Sequence, residues 1–106
     1  MFASFAFVSA AQADVNCEGL VKKVSMEATT GDIFAESIGE LTWPRLCSIN
    51  TVANGIQPNV CKSIYSTLLA AQVTGRTVTV SINRGDSCRT VGNWAFVQGF
   101  YFLRSN

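Results

Sequence analysis

Midway along the chain the spacing of apolar residues changes from helical to strictly alternating. Across residues 58–75, Val60, Cys61, Ile64, Leu68 and Ala71 recur at helical spacing, while Lys62, Ser66 and Thr67 mostly fall on the opposite side. That pattern predicts an amphipathic helix. Pro58 suits its first turn, where a missing N–H costs nothing, and Gly75 suits a C-terminal cap. Immediately afterwards "RTVTVSIN" alternates: Val78, Val80 and Ile82 point one way, and Thr77, Thr79 and Ser81 the other. This is the signature of a strand with one buried face.

The flanking segments read as strands. Residues 19–27 place Leu20, Val24 and Met26 on one face. "ATTG" turns the chain, and "DIFAESIGEL" follows. Asp32, Glu36 and Glu40 recur every four residues there, yet like charges at that spacing repel along a helix, and Gly31 and Gly39 suit hairpin ends. A strand is therefore expected, with Ile33, Ala35 and Leu41 inward and the acids in water. "WPRLCSIN" is a short third strand that Pro44 confines to an edge or a strand start. "TVANGIQP" connects it to the helix. After the turn "NRGDSC", the chain closes with a long aromatic strand, "NWAFVQGFYFLRS", in which Gly99 allows a bulge or bend. The expected order is β-β-β-α-β-β: mostly β with one helix.

Composition narrows the class. The sequence has 106 residues, a formal net charge of +1 and no histidine. The basic residues are scattered, so no electrostatic footprint for nucleic acid is present. "FASFAFVSAAQA" ends in Ala11-Gln12-Ala13, an A-x-A pattern, so residues 1–13 read as a secretory signal peptide cleaved before Asp14. No Lys or Arg precedes the apolar run, which places the true start upstream or marks a trimmed leader; a genuine N-terminal strand or helix is the alternative. The run is too short to span a membrane. Residues 14–106 then form a single domain. Cys17, Cys47, Cys61 and Cys88 make an even count with no C-x-x-C spacing. In an exported chain they are expected to form two disulfides, with a zinc site as the alternative.

The helix between the third and fourth strands resembles the layout of the OB-fold, a small five-stranded barrel. "LCSIN", "CKSIYSTLLAAQVTGRTVTVSI" and a late "SC" are together similar to the OB-fold B subunits of bacterial AB5 toxins, pentameric rings that bind cell-surface glycans. The same stretch resembles short exported proteins of Gram-negative bacteria. The likeness covers residues 17–104 in layout and is specific around residues 47–88. No glycan motif of the toxin subunits can be placed residue by residue, so none is carried over. The barrel layout sets the first strand beside the fourth, and the end of the third beside the helix start. It thereby implies the pairs Cys17–Cys88 and Cys47–Cys61, which would staple the fold.

Little here points to catalysis. Without histidine there is no Ser-His-Asp or Cys-His arrangement, no histidine metal site, and no cofactor is expected. Asp32, Glu36 and Glu40 are the one acidic cluster, and a solvated strand face explains them better than a glycosidase cleft. Arg84-Gly85-Asp86 spells an integrin-recognition tripeptide, but ordinary turn chemistry accounts for it. Trp43, Arg45, Arg89 and Trp94 fall at strand ends or in loops, where aromatic faces beside guanidinium groups suit sugars and other polar ring ligands. Either tryptophan could equally plug a barrel end. Phe34 and Ile38 would face outward among the acids and offer a subunit interface, unless a shifted register buries them. The expectation is a periplasmic or secreted bacterial binding module, non-enzymatic, oligomeric and glycan-binding. The alternative is an envelope domain whose partner is another protein.

Overall fold

The computed structural model of the chain describes residues 14–84 and 87–106. The expected leader, residues 1–13, and the Gly85-Asp86 part of the integrin-like tripeptide lie outside them. Six strands and one helix follow in the order β1 (Val15–Glu27), β2 (Asp32–Ile38), β3 (Leu41–Thr42), β4 (Arg45–Ser48), α1 (Pro58–Thr74), β5 (Thr77–Ile82) and β6 (Phe100–Ser105). They form one antiparallel sheet ordered β3-β2-β1-β5-β6, with β4 also paired to β2. The sheet is not closed. Two isolated parallel bridges to the segment before β6, Thr42 of β3 with Gly92 and Arg45 of β4 with Phe96, take the place of a continuous ladder.

The helix forms where its pattern predicts, although Val60 of the expected apolar stripe is exposed. Pro58 occupies its first turn, Gly75 ends it at φ +71°, and Cys61, Leu68 and Ala71 are buried against the sheet. The core beneath combines Ile33, Leu46, Leu68, Val78, Val80 and Val97, all wholly buried. Removing each such side chain from water contributes roughly 1.5–3 kcal/mol. Both expected disulfides are present. Cys47–Cys61 ties β4 to the first turn of α1 at a sequence separation of 14, and Cys17–Cys88 ties β1 to the loop after β5 at a separation of 71. In the chain-entropy account they contribute about 3 and about 4–5 kcal/mol, the longer loop counting more.

Several sequence expectations need correction. Leu20 and Met26 do not face the core; they are exposed, and Val21 is buried instead. Lys23 has φ +53°, and opposite it the alternation of β2 slips, so Ala35 and Ile38, three positions apart, both enter the core. A strand that bends at a left-handed residue cannot keep a period of two across the bend. Gln72 of α1 reaches across to accept the Val24 N–H at 2.7 Å just beyond it. Phe34 and Ile38, candidates for a subunit interface, are 4% and 0% exposed, so the chain itself covers both. The shifted register is the alternative that holds for Ile38.

Thr79 and Ser81 do point away from the core, but they are buried because β5 lies between β1 and β6. Ser81 donates to Asn16 Oδ1 at 2.7 Å. The aromatic C-terminal strand is short: Asn93, Trp94 and Gly99 all have positive φ, so regular pairing begins only at Phe100. At the far end of the first hairpin, a Cβ on Gly19 would come within 2.2 Å of Gly39 Cα. Backbone there touches backbone, which requires glycine.

Candidate functional site

On the outer face of the sheet, antiparallel pairing sets Ser25, Phe34 and Arg45 in one row across β1, β2 and β4, with Glu27 opposite Asp32 beside it. A bulge between Ile33 and Phe34 in the β2–β4 ladder lets sequence neighbours Leu46 and Cys47 both be buried while Arg45 keeps the outer face. The Arg45 guanidinium lies 4.5 Å from the Phe34 ring centre and 5.3 Å from that of Phe96. Stacking of this kind is favourable because the ring faces are electron-rich. Every nitrogen of that guanidinium is engaged: Nε donates to the Trp94 carbonyl at 2.9 Å, one terminal nitrogen bonds Asp32, and the other lies 3.5 Å from Glu27.

The loop that covers this row is held by main-chain bonds. Asn93 and Trp94 donate to the carbonyls of Thr42 and Trp43 at 2.8 and 2.9 Å, and Val97 donates to that of Arg45 at 2.9 Å. Asn54 adds two side-chain donations, to the carbonyls of Leu46 and Val97 at 3.0 and 2.9 Å. Gly92, at φ +89°, passes so close to Pro44 that a Cβ would lie 3.2 Å from its Cα. These contacts bring Trp43 and Trp94 together, with ring centres 4.3 Å apart and planes only 13° from parallel. Phe34 meets Trp94 at 5.5 Å and 60°. Both tryptophans sit at positive φ, 46° and 76°. Bulky side chains rarely adopt that conformation, and each instance costs about 1–3 kcal/mol. The surroundings hold both there.

The result is a shallow cleft of about 400 Å³ lined by Ser25, Met26, Glu27, Phe34, Trp43 and Trp94. Trp94 is 54% exposed although its ring stacks on Trp43 and meets Phe34. Of the sequence candidates, Trp43, Arg45 and Trp94 meet here, and neither tryptophan is sealed in the core. Arg45 does not line the cleft, and its recorded partners are internal; it positions Trp94. Arg89 does not line the cleft. Its Nε bonds Glu40 at 3.2 Å on an exposed surface.

The three acids expected on a solvated face each have a cation beside them: Asp32 has Arg45, Glu36 has Lys23 at 4.0 Å, and Glu40 has Arg89. Asp32 is the exception to solvation, being buried. Sequence reasoning missed Glu27, Asp32, Phe34 and Phe96 as parts of the site. The first three were within reach, because folding β2 back onto β4 through residues 39–44 faces Phe34 to Arg45. Phe96 arrives on an irregular loop that carries no periodic signal.

Other surfaces are simpler. A second cleft, about 330 Å³, lies between α1 and β6 and is lined by residues that include Val60, Ile64, Phe100 and Phe102. Asp14 accepts a hydrogen bond from the Tyr101 hydroxyl, and that carboxylate raises the phenol above its ordinary value of 10.0. Among the described residues no cluster of His, Cys, Asp or Glu could hold a metal ion, and no helix is long and apolar enough to cross a membrane. Two disulfides belong to an oxidising compartment outside the cytoplasm. No family model, curated protein or solved structure matches the chain.

Proposed function

We propose that this is an exported bacterial binding module, periplasmic or secreted, that recognises a glycan at the Trp43–Trp94 cleft. The observation that carries the reading is the exposed Trp94 indole lining one cleft with the polar groups of Ser25 and Glu27. Sugar C–H faces stack on exposed indoles, while rim oxygens take the hydroxyl hydrogen bonds. Strain held at both tryptophans supports a functional rather than a packing role. The strand sequence β4-β2-β1-β5-β6, a helix between β4 and β5, and the parallel bridges from β3 and β4 to the segment before β6 support an OB-like arrangement of the kind the toxin B subunits use. Such modules gain avidity by assembling, so a homo-oligomer is part of the proposal.

The test is a glycan array on the oxidised protein, with Trp94→Ala as the control and light scattering for the assembly state. Retention of a defined glycan class by the native protein and its loss in the variant is the expected result. An empty array and a monomeric mass would overturn the reading.

A second reading, an envelope domain that binds another protein, is favoured by a different surface. Val60, Tyr101 and Phe102 are exposed around the cleft between α1 and β6, and β6 is an edge strand. It predicts an empty array together with specific co-purification of one envelope component, lost on Phe102→Glu.

A further inference from the structure

The charges around the tryptophan cleft do not cancel. Arg45 contributes one positive charge between two carboxylates, Asp32 and Glu27, which leaves a net charge of −1 at the site. The share is unequal. Asp32 is 9% exposed in its side chain and bonded directly to Arg45, whereas Glu27 is 41% exposed and only 3.5 Å from the guanidinium. The Thr29 hydroxyl also donates to the Glu27 carboxylate, at 3.3 Å. Glu27 is the one charged residue lining the cleft, and the other walls are Ser25, Met26 and three aromatic rings whose faces are themselves electron-rich.

From this charge pattern we infer that the cleft selects a cationic saccharide, one carrying a free amino group, over neutral and acidic sugars. The inference rests on the glycan reading above and names the class of sugar. The ammonium would sit between the Trp94 face and the Glu27 carboxylate, where ring quadrupole and carboxylate act in the same direction. An acidic sugar would meet that carboxylate with no cation lining the cleft, because Arg45 lies outside the lining and is paired with Asp32 and Glu27. Like charges brought together in this way are a means of rejecting a wrong ligand.

The experiment is a tryptophan-fluorescence titration of the oxidised protein at pH 6 with a β-1,4-linked glucosamine trimer, its N-acetylated counterpart and a sialylated trisaccharide. The expected order is free amine first, about five- to tenfold tighter than the acetylated sugar, with the sialylated one weakest. Raising the salt concentration should narrow the gap, since exposed charges are screened. Glu27→Gln should erase the difference between the two trimers, and an unchanged circular dichroism spectrum and unfolding midpoint report that the variant is folded. Equal affinities, or tighter binding of the acetylated or sialylated sugar, would overturn the inference and leave the glycan reading standing. Binding of neither trimer, with neutral glycans still retained on an array, would do the same. Absence of binding by every sugar, array included, would remove both.

Discussion

On the inner face of β2, Ile33, Ala35 and Ile38 are wholly buried among aliphatic neighbours, whereas on its outer face Asp32 and Phe34 are covered by one arginine and a loop. Both faces are dry, but they stay dry for different reasons. The inner face rests on many interchangeable contacts with no preferred direction, so each residue there adds stability in proportion to the area it buries. The outer face rests on Arg45, which joins Phe34, Phe96, Asp32, Glu27 and the Trp94 carbonyl at a single point. A face built the first way is robust. One built the second way is specific, and the exposed aromatic pair lies on it.

Ile33→Ala should give the largest effect. It empties a fully buried site next to Leu46 and Cys47 and should cost about 2–5 kcal/mol, read from chemical denaturation of the oxidised protein. Native-state tryptophan fluorescence should not change, because both tryptophans lie on the other face. A loss of similar size accompanied by a red-shifted native spectrum would show that the two faces are coupled through the strand.

Arg45→Met comes next and probes the outer face. It leaves the Asp32 carboxylate buried without its cation, and a loss of about 2–3 kcal/mol is expected, reduced from the fully buried case because Arg45 keeps some exposure. Here the native spectrum should shift, since Trp94 loses the donor to its carbonyl. Adding Asp32→Asn should restore part of the stability, because the uncompensated charge is gone. If the double variant is as unstable as the sum of the two single ones, packing of the arginine stem, and not its charge, holds the face.

The same contrast explains what was legible in the sequence. The inner face could be read because burial writes a period into the chain: Val78, Val80 and Ile82 alternate, and Cys61, Leu68 and Ala71 recur at helical spacing. Where a backbone bend breaks the period the reading failed, at Lys23 in β1 and hence at Ile38, which pairs with Val21 just before the bend. The disulfide pairs came from a likeness in layout, not from periodicity. On the outer face, residue chemistry picked out Trp43, Arg45 and Trp94, but it did not find the internal partners of Arg45. Those partners come from strands and loops far apart in sequence: Arg45 and Phe96 are joined only by an isolated bridge. No local pattern encodes such a contact.

The smallest effect separates strain from stacking at Trp94 itself. Removing the indole by Trp94→Ala should cost about 1 kcal/mol from the lost ring contacts with Trp43 and Phe34. Alanine keeps a Cβ, however, and so keeps the steric cost of φ +76°. Trp94→Gly loses the same rings but not that penalty. Elsewhere glycine is the less stable choice, by roughly 0.5–1 kcal/mol in a strand or helix. At this position the order should invert, with the glycine variant more stable than the alanine variant by about 0.5–1 kcal/mol after its larger unfolded-state entropy is counted. Thermal unfolding of the two variants side by side is sufficient to see it. An inverted order means that residues 92–97 force Trp94 into a conformation it would not choose, so that the exposed indole is held in place before any ligand arrives. The ordinary order would mean that the loop relaxes around whatever residue it carries, and the cleft would then be assembled by the tryptophan stack and not by the backbone beneath it.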